Sequence, residues 1–411
     1  MAFAFPVDLT LSADYTLIAA MGVLMLGRLL VRRVALLSTF NIPEPVAGGL
    51  VAAIAVAALH AANGFTLKID ADLCDSLMLM FFASIGLNAD FSRLKAGGMP
   101  LVVLTMVVSG FIVVQNLVGV VLASLLGLHP LTGLVAGSVT LTGGHGTAAG
   151  WGATLENLGV TGATTLGMAC ATFGLILGGL TGGPVAQRLI RGLKTPGRES
   201  LNTSSGEIAF EEPHHTRLIT ADSAVETLTM FAISLAVAHF LALNFGALLS
   251  TKGVNIPTFV LALGAGIVVR NVLSGAFNVT VFDRCVDVIG NVSLSLFLAM
   301  ALISLQVWQL VDLAVPLMVI LFVQMVVMVF YAYFVTFRLL GRDYDAAVIA
   351  SGHCGFGMGA TPTAIANMQA VTQKFGLSHK AFLIVPLVGA FFVDILNAII
   401  LSVFSSLPFL R

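Results

Sequence analysis

Thr142-Gly143-Gly144-His145-Gly146-Thr147 and, in the other half of the chain, Ser351-Gly352-His353-Cys354-Gly355-Phe356-Gly357 decide how this sequence folds. Each glycine-rich run sits inside a moderately apolar stretch, 130–157 and 345–369, that is too interrupted to be an ordinary membrane span. Leu131 to Leu141 supplies about eleven residues, about 16 Å of helix at 1.5 Å per residue, enough to enter a bilayer and not to cross it. The chain is therefore expected to turn inside the membrane at both places, as two re-entrant hairpins.

The rest of the sequence supplies the membrane. Of its 411 residues 58% are hydrophobic and 9% charged, against about a quarter charged in a soluble domain. Apolar runs long enough to cross a bilayer occur over 15–31, 46–62, 74–91, 100–127, 162–187, 224–248, 256–274, 288–306, 312–338 and 381–405. The fold class expected is all-α and polytopic, with ten transmembrane helices. No Lys or Arg precedes Arg28, so a cleaved signal peptide is not expected.

Basic residues orient these spans, because Lys and Arg gather on the cytoplasmic side. With both termini outside, 16 of the 19 Lys and Arg face the cytoplasm and only Lys68, Lys252 and Arg411 do not. The polar stretch 191–222 becomes a cytoplasmic linker between 1–190 and 223–411, each with five spans. An odd number of spans per half gives the halves opposite orientations.

Short motifs recur in order between them. Asn41-Ile42-Pro43 opens the second span and Asn255-Ile256-Pro257 the seventh; Gln115 lies within the fourth and Gln324 within the ninth. Thirty residues separate Gln115 from His145, and 29 separate Gln324 from His353. Matches in register at such spacing read as an inverted repeat, the architecture of many secondary carriers. On this topology the first hairpin enters from outside and the second from the cytoplasm, with their tips meeting near mid-depth.

A tip of this kind needs a cavity, since each backbone N–H or C=O left unpaired in hydrocarbon costs several kcal/mol. Glycine permits positive φ and close approach, and half-helix ends aim N–H groups and positive dipole ends at an anion. Unwound carbonyls with the hydroxyls of Thr142, Thr147, Ser351, Thr361 and Thr363 suit a hard cation such as sodium. The bland alternative is that these glycines only let helices pack closely.

Asp394 lies deep in the last span, where a carboxylate costs about 2.5–3.5 kcal/mol, and is read as a contact to sodium or to a substrate ammonium. Asn397, three residues on, presents its amide to the same face or joins two helices. Gln115, Asn116 and Gln324 are read as joining helices, Glu44 as a neighbour of a basic group, and His145 and His353 as hydrogen bonders that hold the tips. No transition-metal site is expected, because neither histidine has a carboxylate at ligand spacing. The dispersed Cys74, Cys170, Cys285 and Cys354 give no disulfide framework, and a net charge of -1 gives no case for nucleic acid.

Several motifs together resemble the bacterial sodium/glutamate symporter family over nearly the whole chain. They are Ile42-Pro43-Glu44-Pro45-Val46-Ala47-Gly48-Gly49-Leu50, Phe81-Phe82-Ala83-Ser84-Ile85-Gly86-Leu87-Asn88-Ala89, Gly143 to Thr147, Gly290-Asn291-Val292-Ser293 through Leu302, Gly352 to Gly357, and Gly359-Ala360-Thr361-Pro362-Thr363 through Met368. The resemblance implies two inverted five-helix domains with glycine-rich re-entrant loops, sodium-coupled glutamate uptake and a bacterial inner membrane. It also implies a homodimer with a fixed scaffold and an elevator-like moving part made of 130–157 with 162–187 and 345–369 with 381–405. Sodium is the one ion expected as cofactor, and glutamate and the lipid bilayer are the partners.

The residues expected at the substrate are Gly144, His145, Gly146, Thr147, Ser351, Gly352, Gly355, Gly357, Thr361 and Asn397, with Thr142, Gly143, Thr363 and Asp394 at sodium. No Arg stands in a tip or in the last span to clamp a carboxylate, so helix ends and hydroxyls must do so. Symport of another small carboxylate such as citrate is the nearest rival. A channel is disfavoured because its loops would enter from one side, and an intramembrane enzyme because Asp343 and Asp345 sit at a boundary rather than within facing spans.

Overall fold

The protein is described by a computed structural model covering residues 8–39, 42–193, 218–251, 256–277, 279, 281–305 and 313–410. Residues 194–217 of the expected linker, Asn41, Asn255, Lys252, Arg411 and the span limits 306 and 312 lie outside the described residues.

Apart from strands β1 (Asp8–Thr10) and β2 (Thr66–Lys68), which pair in parallel, the described chain is helical. Among the described residues nine helices are long and apolar enough to cross a membrane. They fall within α1 (Ala13–Arg33), α3 (Glu44–Asn63), α4 (Ala71–Asn88), α5 (Phe91–Leu125), α8 (Ala163–Arg191), α9 (Ala221–Thr251), α10 (Thr258–Ala276), α11 (Asp283–Ile303), and α12 (Ala314–Tyr331) continued to Leu339. The short α2 (Ala35–Thr39) joins α1 to α3. Many large apolar side chains point outward, among them Met25, Leu125, Leu243 and Val315. Such an outer face suits lipid and not water.

The span expected at 381–405 takes a different form. α16 (His379–Leu387) and α17 (Val393–Ser406) are joined by a π-helical turn, Val388–Phe392, so neither part alone has the length of a span. Pro386 inside α16 has no N–H to give to the helical ladder, which favours the wider turn that follows. A second π segment, Ala332–Thr336, lies between α12 and α13 (Phe337–Leu339), and a third, Val135–Val139, follows α6 (Thr132–Leu134).

Local sequence accounts for the helix limits nearest the breaks. Asp343 caps α14 (Tyr344–Met358) by accepting from the N–H of Ala346 at 2.7 Å, and Ser378 caps α16 through Ala381. Pro362 stands in the first turn of α15 (Thr361–Phe375), where its missing N–H costs nothing, and Gly376 ends that helix at φ 105.

Two groups of helices result. In one, α1 packs on α3, α9 on α10, α3 on α11 and α10 on α4. In the other, α8 packs on α7 (Gly144–Asn157), α14 and α15, and α5 packs on α6 and α12. A partly buried cluster of three charges closes the first group: Arg270 of α10 bonds Asp90 at 3.0 Å and Asp283 of α11.

Candidate functional site

Both expected tips are places where a helix breaks. In the first, α6 runs into the π segment, Gly137 leaves helical geometry at φ -111 and ψ -133, and Gly144 opens α7 at φ 68. Glycine is required upstream, since a Cβ at Gly133 would stand 2.2 Å from backbone atoms of Gly119 in α5. In the second, α14 stops at Met358, Gly359 leaves helical geometry at φ -153 and ψ -93, Ala360 is extended, and α15 begins at Thr361.

The two breaks touch. A Cβ built on Gly144 would lie 3.4 Å from the carbonyl oxygen of Gly359. The amide of Gln115 donates to the Gly357 carbonyl at 3.0 Å, while the Thr142 hydroxyl lies 2.7 Å from Gln115 Oε1 and 3.3 Å from that same carbonyl. Gln324 in turn donates to the Gln115 carbonyl at 2.7 Å. The paired glutamines are thus structural bridges between the broken segments.

Between the breaks lies a cavity of about 540 Å³. One wall is Thr142 to Gly146 from the first break and Gly359 to Thr363 from the second, with Gly389 and Asp394 beside them. The facing wall is Phe81 of α4 with Asn291, Leu294, Ser295 and Leu298 of α11, and Pro43 to Pro45 at the start of α3 close one end. The π turn at 388–392 sets Gly389 against Thr361, where a Cβ would come within 2.8 Å of the threonine hydroxyl. Glycine there lets α15 and the last helix approach.

Eight of the fourteen expected residues line this cavity: Thr142, Gly143, Gly144, His145, Gly146, Thr361, Thr363 and Asp394. Six do not: Thr147, Ser351, Gly352, Gly355, Gly357 and Asn397. Gly355 is pressed against the backbone of Ala364, and Gly352 against Val385 and Met368, so these glycines serve close packing. The Ser351 carbonyl is met by Asn367, and Thr147 packs under Gly143. Asn397 donates instead to the Ser138 carbonyl at 3.0 Å, inside the first break.

Both histidines are tied to hydroxyls. His145 Nε2 stands 3.0 Å from Thr172 Oγ1 and His353 Nδ1 2.9 Å from Thr336 Oγ1, the latter within the π turn after α12. His145 also reaches the cavity.

The chemistry of the lining is one-sided. The first turns of α7 and α15 line the cavity; the Gly144 N–H is taken by the Thr140 carbonyl at 3.0 Å and Pro362 has none, so any donors offered are those of the other residues of each turn. Each helix start also presents about half a positive charge. The carboxylate of Asp394 forms no ion pair or hydrogen bond among the described residues, and the buried hydroxyl of Thr363 has no protein partner. Among the described residues no Lys or Arg lines the cavity. The arrangement can hold an anion at helix ends and a cation or ammonium at Asp394 together.

Reading the sequence missed the facing wall. Asn291 and Ser295 stand four residues apart on one side of α11, and that spacing of polar groups within an apolar span was the available signal.

The family profile for the sodium/glutamate symporter matches residues 9–377. The sodium/glutamate symporters of Escherichia coli strain K12 and Shigella flexneri are each 52% identical to this chain over 394 residues, which is 96% of it and 97% of theirs. The sodium/glutamate symporter of Haemophilus influenzae is 49% identical over 399 residues, again 96% of this chain and 97% of that one.

Proposed function

Because the chain belongs to the sodium/glutamate symporter family, we propose that the cavity between its two helix breaks carries glutamate and sodium together across a bilayer. The protein is a sodium/glutamate symporter of the multi-helix membrane class and not an enzyme. Sodium is accordingly a co-transported substrate, not a resident cofactor.

The observation that carries the site assignment is the meeting of both breaks around one pocket that also holds Asp394. Glutamate brings two carboxylates and one ammonium. The helix starts of α7 and α15 receive carboxylate oxygens through backbone N–H groups, as arginine-free anion sites do. Asp394 with the hydroxyls of Thr363 and Thr142 supplies hard oxygens for sodium, and its charge also favours the ammonium. Loading sodium first cancels the Asp394 charge that would otherwise repel the substrate carboxylates. Coupling follows from that order.

Segments 130–157 and 345–369 are the re-entrant hairpins of two inverted repeats, 1–190 and 223–411, and α16 with its π turn and α17 is the tenth span. Support comes from packing that repeats with the halves exchanged. α1 on α3 matches α9 on α10, α3 on α11 matches α10 on α4, and α1 on α11 matches α9 on α4. Both termini then face the periplasm and the chain resides in the inner membrane as a homodimer. The helices around the breaks move as a carriage against the other group, in the elevator manner. Gly146 and Gly150 offer that motion a smooth face, since Cβ atoms there would meet the rings of Phe81 and Phe82 at 2.6 and 3.0 Å.

Purified protein in liposomes tests this reading. An imposed inward sodium gradient should drive accumulation of labelled glutamate, and Asp394→Asn should abolish it while insertion stays normal. Accumulation of equal size without sodium, or normal uptake and sodium affinity in that variant, removes the assignment.

A further inference from the structure

The facing wall of the cavity has two polar side chains that the glutamate reading does not use. Asn291 is the ninth residue of α11, about 12 Å along the helix from its start. Its amide is exposed toward the cavity and has no hydrogen-bond partner among the described residues. Ser295, one turn on, lines the same wall, and the groups around the pair, Phe81, Leu294 and Leu298, are apolar. An amide left open on the cavity wall is free to donate to whatever occupies the cavity.

We infer that Asn291, assisted by Ser295, binds the side-chain carboxylate of the substrate from the α11 wall and sets the preference for an acidic over a neutral amino acid. This rests on the symport reading given above. The argument is one of donors and acceptors. The opposite wall holds Asp394 and both helix starts, while the other carboxylate of the cavity, Glu44, stands at its end paired with Arg28. Asp394 and a helix start fit the ammonium and carboxylate that every amino acid shares. The far carboxylate of glutamate then needs donors on the other side, where the Asn291 NH₂ and the Ser295 hydroxyl are what the wall offers. An amide that donates to a carboxylate discriminates strongly, because a ligand lacking that group leaves the donor unpaired. Being on α11, the contact belongs to the helix group that does not contain the breaks. It is therefore made when the two groups face each other as in this structure.

Kinetics of the reconstituted full-length chain separate this from a packing role. Asn291→Asp places a negative charge opposite the side-chain carboxylate. It should raise KM for glutamate at least about tenfold and lower the inhibition constant for glutamine relative to glutamate, with the sodium half-saturation unchanged. Asn291→Ser keeps a donor in a smaller side chain and should fall between, and Ser295→Ala should raise KM by about threefold. If Asn291→Asp does not insert, Asn291→Ser decides by the same ratio. Unchanged KM and unchanged glutamine-to-glutamate ratio in an active carrier overturn the inference alone. Absence of sodium-driven uptake by the unaltered chain overturns the symport reading, and the inference with it.

Discussion

The two helix breaks do the same thing by different means. The first is held from outside: Ser138 gives its N–H to Asn116 at 3.1 Å and receives Asn397 on its carbonyl at 3.0 Å, while Gln115 meets Thr142. α5 and α17 thus supply the partners that the unwound backbone lost. The second break has fewer such ties. Gly359 is non-helical and Ala360 extended, neither with a side-chain brace, and the Thr363 hydroxyl beyond them is buried with no protein partner. The backbone of the first break is braced by the fold, and that of the second is left more open. A carrier needs both, because a site with no fixed side has no specificity and one with no open valence gains nothing from its cargo.

Mutations can break this contrast. Gly133→Ala strikes the fixed side hardest: its methyl would stand 2.2 Å from the Gly119 backbone, which no rotamer relieves, so little folded protein should reach the membrane. Gly22→Ala, with nothing within 4 Å, should express normally beside it. Gln115→Leu removes the amide that bridges the breaks and leaves the Gly357 carbonyl and the Thr142 hydroxyl short of a partner. It should cost about 1–3 kcal/mol in detergent thermal stability, with or without substrate. Thr363→Val keeps shape and deletes one oxygen on the open side. Sodium half-saturation should rise about tenfold while stability without sodium holds. Glu44→Gln cuts the exposed pair with Arg28 at 3.2 Å and should shift stability by less than about 1 kcal/mol.

Much of this was legible in the sequence, for a physical reason. Helical crossings announce themselves by length and apolarity, and breaks by glycine where backbone must turn. What spacing could not give was which side of a buried helix faces the ligand. Every residue from Ala346 to Met358 is buried, so small residues at 352 and 355 read alike whether they admit a substrate or a neighbouring helix. They admit helices. Asp394 and Asn397 share a helix and nearly a face, yet one reaches the cavity and the other reaches past it to Ser138. The π turn at 388–392, invisible to periodicity, sets that placement. Glu44 beside Arg28, and the glutamines as bridges, were as expected from their chemistry.

The most direct test of a single cargo held by both breaks is thiol protection. Cys74, Cys170, Cys285 and Cys354 are all buried and can be replaced by alanine; Thr142→Cys and Ala360→Cys then report one break each. Sodium and glutamate together should slow modification of both cysteines by a polar thiol reagent to the same degree, and glutamate in choline should protect neither. Protection at one position with full reactivity at the other would mean that the two breaks do not share a ligand.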